Sequence, residues 1–459
     1  MYESALGRLG RVDPELRTLV GWGRTAPSTA RVVVPRTVDE VIEALRSADE
    51  RGVIARGLGR AYGDPAQNAG GLVIDVTGLD RIHSIDADAA VVDTDAGVSL
   101  DTLMRRLLPF GLWLPVLPGT RQVSVGGAIG ADIHGKAHHV EGSFCEHVES
   151  MDLVTADGEV HTLTQDDELF WATAGGMGLT GVVVRAKLRL NRVETAYFKV
   201  DTDQIDNLDE LMARQSVDDE KYLESVSWFD STVSGPHLGR GILTRANHAT
   251  LDDLPKKLRK NPLKFDAPQL LTVPNVFPPG MLNKLTARMF CELWYRKSPT
   301  KHGAIQNITM FLHPLDIAGE WNRVYGPRGF LQYQYVIPFG HEDAVKRSVE
   351  LMVETGHVSA LNVLKRFGEG NRAPLSFPQP GWTLAVDLPV RRGLAELCAE
   401  LDELVLSTGG RLYLAKESRA TPEAIQRMYP RIDEWRKVRA EVDPNGIFVS
   451  DMARRLRLT

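Results

Sequence analysis

The sequence predicts an α+β protein of two domains, and three observations support this fold class. The chain has 459 residues, more than one ordinary hydrophobic core accommodates. Up to about residue 195, short β-branched runs alternate with Gly-, Asp- and Pro-rich turns and with helical patterns. From about 196 to 410, longer helical stretches and longer strands take over. We therefore expect a first domain over 1–195, a second over 196–410, and a helical tail over 411–459.

Local patterns assign the elements in order along the chain. β-branched runs bounded by turn residues predict strands in the first domain at 53–55, 72–74, 91–92 and 181–184. Apolar residues at helical spacing predict helices at 38–49 and 99–108. In the second domain, strands are predicted at 331–337 and 382–387. The Pro- and Lys-rich segment 250–300 predicts a long, mobile excursion.

Composition excludes several classes of protein. The formal net charge is -6, so the chain has no general attraction to nucleic acid. Three scattered cysteines, Cys145, Cys291 and Cys398, argue against a disulfide framework or a zinc site. The N-terminus has no apolar run of the kind a secretion signal needs, and no stretch approaches the ~20 apolar residues that cross a bilayer. We expect a soluble protein or one peripheral to the plasma membrane, on a side that the sequence leaves open.

The first of three glycine-rich segments, 55–64, directly follows a predicted strand. A GxG at this place suggests a dinucleotide fingerprint. The NAD-binding Rossmann type requires a helix to begin there, but Pro65, Asn68 and Gly70 disfavour one. The loop is therefore expected to wrap a phosphate with its own amides. A plain turn between strands is the alternative.

Two further segments strengthen the phosphate interpretation. Segment 117–131 has four glycines that permit close backbone approach, and Thr120, Arg121 and Ser124 can donate to phosphate oxygens. A third cluster of small residues follows at 175–181. Three such clusters in one domain are hard to explain as turns.

The order of these motifs, GxGRxYGD, then PGTxxxSVGGA, then GGxGLTG, resembles the FAD-binding domain of the vanillyl-alcohol-oxidase (p-cresol-methylhydroxylase, PCMH) family. The resemblance implies a PCMH-type fold with FAD extended between two α+β subdomains and a substrate domain built on an antiparallel sheet with helices. The segment 443–456 also fits, so the tail would return to the FAD domain. The resemblance assigns cofactor contacts to Arg56, Gly57, Leu58, Gly59, Arg60, Ala61, Tyr62, Gly63, Gly119, Thr120, Arg121, Ser124, Gly126, Gly127, Ala131, His134, Gly178 and Tyr413.

The form of FAD attachment follows from one position. Many members of the family carry a His after the second glycine of the first loop and bind FAD covalently through it. Arg60 occupies that place here. A guanidinium cannot form that bond, so non-covalent FAD is expected.

Longer stretches are similar to one branch of the family. They are 19–27, 132–136, 265–271, 293–297, 329–334, 374–377 and the tail. That branch oxidises the 2′-hydroxyl of polyprenylphosphoryl-β-D-ribose to a 2′-keto product, the first half of the epimerisation that makes the arabinose donor of actinobacterial cell-wall arabinan. The resemblance implies this lipid as substrate and an NAD(P)H-dependent 2′-keto reductase as partner. Two alternatives stay open: an oxidase of a soluble polyol or sugar lactone, and a flavin-binding subunit without chemistry of its own.

The same resemblance assigns residues to the substrate, with some departures. Lys136, Lys365, Trp228 and Gln334 are expected to bind or enclose it, with Lys416 beside them. Thr383 and Ala385 stand where members of the branch carry Asn and Cys, and Leu312 replaces a Tyr. Fine substrate preference therefore stays open.

Removing hydride from a carbinol requires a proton acceptor and a positive group near the reduced flavin. The resemblance places Lys416 beside the flavin, with Tyr62 and His134 as further catalytic candidates. As a base, Lys416 needs a pKa well below the ordinary ~10.4, and as a charge stabiliser it needs no shift. Both roles stay open at this stage.

Two remaining features invite other functions. His134 and His138 have the spacing of helical zinc ligands, but Gly135 disfavours a helix there, so no metal is expected. The basic pair Arg454 and Arg455 is a weak anchor for anionic lipid. The apolar region 266–290 is the better candidate for a peripheral contact with a membrane.

Overall fold

The computed structural model describes residues 14–459, and the first part of the polar N-terminus discussed above, 1–13, lies outside the described residues. The described residues begin with a four-stranded sheet in the order β1-β2-β4-β3. Its strands are β1 (Glu15–Leu19), β2 (Ser28–Val33), β3 (Val53–Arg56) and β4 (Leu72–Asp75). Helix α1 (Val38–Arg46) connects β2 to β3 and begins at Thr37, whose side chain accepts from the Glu40 amide. Both β2 and β3 run parallel to β4, so the first glycine loop leaves the sheet at the carboxyl end of β3.

A second, antiparallel sheet follows in the order β5-β6-β10-β8-β9. Its strands are β5 (Ile82–Asp86), β6 (Val91–Asp95), β8 (Val148–Val154), β9 (Val160–Thr164) and β10 (Val182–Arg189). Two short strands, β7 (Leu112–Trp113) and β11 (Asn191–Arg192), pair separately. The helices of this part are α2 (Leu100–Leu107), α3 (Val125–Gly130), α4 (His138–Glu141) and α5 (Glu168–Thr173).

An eight-stranded antiparallel sheet dominates the rest of the chain, in the order β16-β12-β14-β13-β19-β20-β18-β21. Its strands are β12 (Tyr197–Ile205), β13 (Glu224–Phe229), β14 (Gly241–His248), β16 (Lys301–Asn307), β18 (Phe330–Pro338), β19 (Asn362–Phe367), β20 (Gly381–Pro389) and β21 (Arg411–Leu412). Two short parallel strands, β15 (Leu271–Thr272) and β17 (Ala318–Gly319), stand apart. The α+β class is confirmed.

Eight helices accompany this sheet and the tail. They are α6 (Leu208–Ser216), α7 (Lys284–Lys297), α8 (Ile308–Leu312), α9 (Glu342–Glu354), α10 (Leu394–Ser407), α11 (Pro422–Met428), α12 (Ile432–Val442) and α13 (Asp451–Leu456). Helix α7 lies inside the segment 250–300, and the mobility expected of that segment stays a prediction. Its start is fixed locally, because the Asn283 side chain accepts from the Thr286 amide. Within 14–459, no helix has the length and apolarity needed to cross a membrane.

The tail packs back onto the N-terminal sheets. The Trp435 indole donates to the Ala172 carbonyl at 3.0 Å, and Phe448 forms a parallel bridge with Val53. The largest hydrophobic cluster accordingly joins Ile54 of β3, Leu384 of β20 and Trp435 of α12. One core thus fixes the glycine loops, the eight-stranded sheet and the tail relative to one another.

Candidate active site

The first glycine loop is an irregular segment. The described chain contains no helix between 57 and 71, which excludes the Rossmann arrangement in which a helix starts after the GxG. Gly59 has a φ of +66°, a left-handed conformation that glycine adopts without strain. Within 14–459, the amides of Leu58, Gly59, Arg60 and Ala61 donate no hydrogen bond. Consecutive free amides in such a loop suit an anionic ligand such as a pyrophosphate.

The three glycine segments meet one another. A Cβ on Gly57 would overlap the Ser124 hydroxyl of the second segment, so a side chain has no room at this contact. The third segment is hydrogen-bonded to the second, because the Gly175 amide donates to the Ile129 carbonyl at 3.0 Å and the Met177 amide to the Gly130 carbonyl at 2.8 Å. More than 40 residues separate each segment from the next along the chain, yet the three form one surface of backbone.

Within the second segment, the polar side chains already have protein partners. Ser124 caps α3 by accepting from the Gly127 amide at 3.3 Å. Thr120 donates to Asp316 at 2.7 Å, and Arg121 donates from Nε to Asp101 at 2.6 Å. These hydrogen bonds hold the loop in its conformation. Donation from the three side chains to phosphate stays a prediction. Gly119 has open space on its Cβ side, and Gly126 lies in α3.

Two arginines of the first loop differ in role. Arg56 donates to the carbonyls of Ala66 and Val20, both at 3.0 Å, and so braces the loop. The Arg60 guanidinium lies 4.0 Å from the centroid of the Trp22 ring, and its buried Nε has no partner within the described residues. A guanidinium with a buried, unused donor suits an anionic group. Together with the free amides and the close glycine contacts, it makes the cradle fit FAD.

One face of the eight-stranded sheet gathers the predicted substrate residues. Residues directly opposite in antiparallel strands share a face, and the pairs Trp228–Val363, Val363–Ala385 and Ala385–Gln334 form one row across β13, β19, β20 and β18. The next row contains Lys365 opposite Thr383. The tertiary structure therefore brings together residues that the sequence spreads over more than 150 positions.

Lys416 lies at the junction between this face and the first glycine loop. The Tyr62 amide donates to the Ala415 carbonyl at 2.9 Å, and the Lys416 ammonium lies 3.8 Å from the centroid of the Tyr62 ring. Burial lowers the pKa of Lys416 to about 7, and the nearby Asp387 carboxylate opposes that shift. Near neutral pH this amine therefore populates both its neutral and its protonated form.

Asp387 is the carboxyl partner that sequence reasoning missed. It lies opposite Gln332 in the sheet, accepts from the Gln332 amide at 2.7 Å and from the Tyr325 hydroxyl at 3.1 Å, and is buried. Burial raises its pKa to about 7. The sequence did indicate that Asp387 shares a face with the predicted substrate residues, because Thr383, Ala385 and Asp387 alternate along one strand.

His134 lies against the same face and is neutral. Its ring nitrogens contact the Gln334 amide at 3.0 Å and the Lys365 ammonium at 3.2 Å. Burial, with the positive charges of Lys365 and Lys416 nearby, lowers its pKa well below the ordinary range. His138 lies in α4 while His134 precedes it, so the two do not share a helix face. Tyr413 donates to the Ala131 carbonyl at 2.9 Å and packs beside His134.

A second buried group of charges surrounds Lys136. Its ammonium donates to the Phe311 carbonyl and lies 4.4 Å from the centroid of the Phe311 ring. Burial lowers the pKa of Lys136 to about 8 and that of Lys365 to about 7, while burial raises the pKa of Glu224 to about 8. One Glu224 oxygen and both ring nitrogens of His313 are buried without a partner within 14–459. Sequence reasoning missed Glu224 and His313, although Glu224 and Trp228 share a face of β13 by their spacing.

Family models match two parts of the chain. The model described as FAD binding domain matches residues 29–164, which contain the first two glycine segments. The model described as D-arabinono-1,4-lactone oxidase matches residues 329–456, which contain Gln334, Thr383, Ala385 and Lys416.

Curated relatives cover almost the whole chain. Decaprenylphosphoryl-beta-D-ribose oxidase of Mycolicibacterium smegmatis is 57% identical over 96% of this chain and 98% of its own. L-gulono-1,4-lactone dehydrogenase of Mycobacterium tuberculosis is 24% identical over 94% of this chain and 96% of its own. L-gulonolactone oxidase of Bos taurus is 22% identical over the same shares.

Proposed function

We propose, because this chain belongs to the family of FAD-linked oxidoreductases that includes decaprenylphosphoryl-β-D-ribose oxidase, that it oxidises the 2′-hydroxyl of a polyprenylphosphoryl-β-D-ribose to the 2′-ketone. The observation that carries the proposal is the partly buried Lys416 between the glycine cradle and the polar sheet face. A separate NAD(P)H-dependent reductase would return hydride to the ketone and complete the inversion at that carbon.

We assign to Lys416 the removal of the proton from the 2′-hydroxyl. With a pKa of about 7, a large share of this side chain is a neutral amine at neutral pH and can accept the proton from the 2′-oxygen. Bound FAD supplies the two-electron acceptor for the hydride that leaves C2′. Once protonated, Lys416 carries a positive charge beside the site where negative charge accumulates. Lys416 thus acts first as the base and then, once protonated, as the charge stabiliser, which are the two roles left open above.

Asp387 and Tyr62 support the protonated stage. The Asp387 carboxylate raises the pKa of Lys416, and the Tyr62 ring faces its ammonium. Both interactions stabilise the charge that Lys416 gains. We therefore assign them as positioning residues for proton transfer.

The charge balance of the face favours an anionic substrate. Three partly buried amines, Lys136, Lys365 and Lys416, face two buried carboxyls, Glu224 and Asp387, whose pKa values are raised. A phosphodiester supplies the negative charge that this group lacks. A sugar lactone carries no such charge, and the lactone enzymes are the more distant relatives at 22–24% identity. We assign the phosphate to Lys136 and Lys365, and the ribose hydroxyls to Gln334 and neutral His134.

The test is an anaerobic titration of the FAD-loaded protein with a short-chain prenylphosphoryl-β-D-ribose. We expect the flavin absorbance to bleach and the recovered lipid to have lost two hydrogens. The 2′-deoxyribose analogue is the matched control and should leave the flavin oxidised. Lys416→Met should bind FAD with an unchanged spectrum and reduce it roughly 10²- to 10⁴-fold more slowly. Bleaching by a sugar lactone but not by the lipid would overturn the proposal.

A further inference from the structure

Helix α7 has the reverse of the usual amphipathic arrangement. The residues that it buries are small, Ala287 and Cys291, whereas its large apolar side chains face solvent. Those exposed side chains are Leu285, Met289, Phe290, Leu293 and Trp294, each between 46% and 67% exposed. A surface helix of a globular protein ordinarily turns such residues toward the core.

The exposed side chains form one stripe. Leu285, Met289 and Leu293 follow one another at intervals of four residues, which places them on the same face of the helix. Phe290 and Trp294, one position further along, stack with ring centroids 6.1 Å apart. A contiguous apolar stripe of this length indicates a surface that binds something apolar.

The opposite side of α7 is fixed to the substrate sheet. Cys291 contacts the Ser359 carbonyl, with 3.7 Å between sulfur and oxygen, and the Tyr295 hydroxyl donates to Asp206 at 3.1 Å. The neighbouring residue Ala360 accepts from the Trp228 indole at 3.1 Å. The buried side of α7 is therefore linked to Trp228 of the substrate row through Ser359 and Ala360.

Charge identifies the kind of partner. Between residues 256 and 297 the chain carries nine Lys and Arg against two acidic residues, a local net charge of +7 in a protein of net charge -6. One of the two acidic residues, Glu292, pairs with Arg240 and Arg296. Basic residues beside an apolar face with Trp, Phe and Leu are the features of a helix that lies in the interface of an anionic lipid bilayer.

We infer that the α7 stripe docks the protein on an anionic membrane surface, with the apolar side chains among the acyl chains and the basic residues at the headgroups. The inference rests on the proposed function for its purpose, because a prenyl chain resides in a bilayer and its phosphoribose must reach the sheet face. Docking at α7 brings the bilayer next to the Trp228 side of that face.

Vesicle flotation of the FAD-loaded full chain tests the inference. We expect flotation with phosphatidylcholine vesicles that contain phosphatidylglycerol, weaker flotation with phosphatidylcholine alone, and a decline with salt. Met289→Asp with Leu293→Asp should reduce partitioning at least about tenfold. Phe110→Asp, which changes an exposed aromatic residue on another part of the surface, is the matched control and should float like the unaltered protein.

Two activity assays separate the surface from the chemistry. The double variant should keep its rate with a short-chain, water-soluble substrate and lose rate with a long-chain substrate in vesicles. If the flavin stays oxidised with every prenylphosphoryl-ribose while the protein still floats with the vesicles, the proposed function is wrong and the inference of a membrane-binding surface stands. Flotation unaffected by the double variant would overturn the inference. So would a concentration-dependent dimer that the double variant abolishes without any vesicle binding by the unaltered protein.

Discussion

At the scale of single residues, the chemistry depends on a lysine and an aspartate whose pKa values converge. Burial lowers the pKa of Lys416 to about 7 and raises that of Asp387 to about 7. Neither shift requires an unusual residue, because each follows from the removal of water around an ionisable group. The local sequence identified Lys416 only by resemblance, since an isolated lysine is ordinarily on the surface.

The pH dependence of flavin reduction follows from these two residues. Lys416 must be neutral to accept a proton, so the rate should rise as the pH increases through about 7. Asp387→Asn removes the charge that raises the pKa of Lys416, so the rising limb should move to lower pH by roughly one unit. Anaerobic stopped-flow measurements across this range check both expectations.

Glu224→Gln provides the control for that shift. Glu224 is a buried carboxyl on the same sheet, but its charge acts on Lys136 and Lys365. The substitution should change the concentration of substrate required and leave the rising limb in place. A limb that moves equally in both variants, or a rate that falls as the pH passes 7, would contradict the role given to Lys416.

At the scale of elements, the glycine segments act through contact with one another. Gly57 abuts the Ser124 hydroxyl that caps α3, so Gly57→Ala should push the first and second segments apart. Overpacking of this kind costs about 1–3 kcal/mol, and we expect FAD affinity to fall roughly tenfold or more. Fluorescence titration of the FAD-free protein measures the change.

A second substitution should restore the binding. Gly57→Ala combined with Ser124→Gly removes the overlapping hydroxyl, and glycine at a helix N-cap costs only about a few tenths of a kcal/mol. Ser124→Gly alone should bind FAD nearly as well as the unaltered chain. Equal losses in Gly57→Ala and in the double variant would show that the contact with Ser124 is not the cause.

The sequence predicts where helices and strands lie along the chain better than it predicts which of them pack together. The strands at 53–55, 72–74, 331–337 and 382–387 and the helices at 38–49 and 99–108 are confirmed to within a few residues. The segment 250–300 contains α7, whose large apolar residues face outward, and the mobility expected of that segment stays a prediction. The division of the chain near residue 195 stays a prediction.

At the scale of the whole molecule, the tail holds the two halves of the site together. Arg455 pairs with Asp64, the last residue of the first glycine segment, at 2.7 Å and with Glu417, next to Lys416, at 2.8 Å. Glu417 is buried, and these carboxylates raise the pKa of Arg455 despite its burial. Arg454 donates to the Arg51 carbonyl and to the Asn68 side chain. Both members of the basic pair thus make internal contacts, which argues against a role for the pair in lipid binding.

Arg455→Met should reveal this bridge. Removing one partner of a largely buried ion pair leaves two carboxylates without compensation, at a cost of roughly 2 kcal/mol or more. We expect a melting temperature lower by several degrees and slower flavin reduction, measured by thermal unfolding and by the anaerobic assay. Arg457→Met is the matched control, because Arg457 and Glu423 form an exposed pair that contributes little. Similar melting temperatures for the two variants would contradict the bridge.

The sequence by itself determined the α+β class and the three glycine segments, because turn chemistry and hydrophobic periodicity are local properties. The FAD assignment came from the resemblance of the order of those segments to a known family. Only the tertiary structure decided which distant groups meet. Tyr62, Asp387 and Lys416 belong to a loop, a strand and the segment after another strand, and no local pattern records that they adjoin. Periodicity tells which face of a strand a side chain occupies, whereas the charges and the burial that set its pKa come from elements packed against that face.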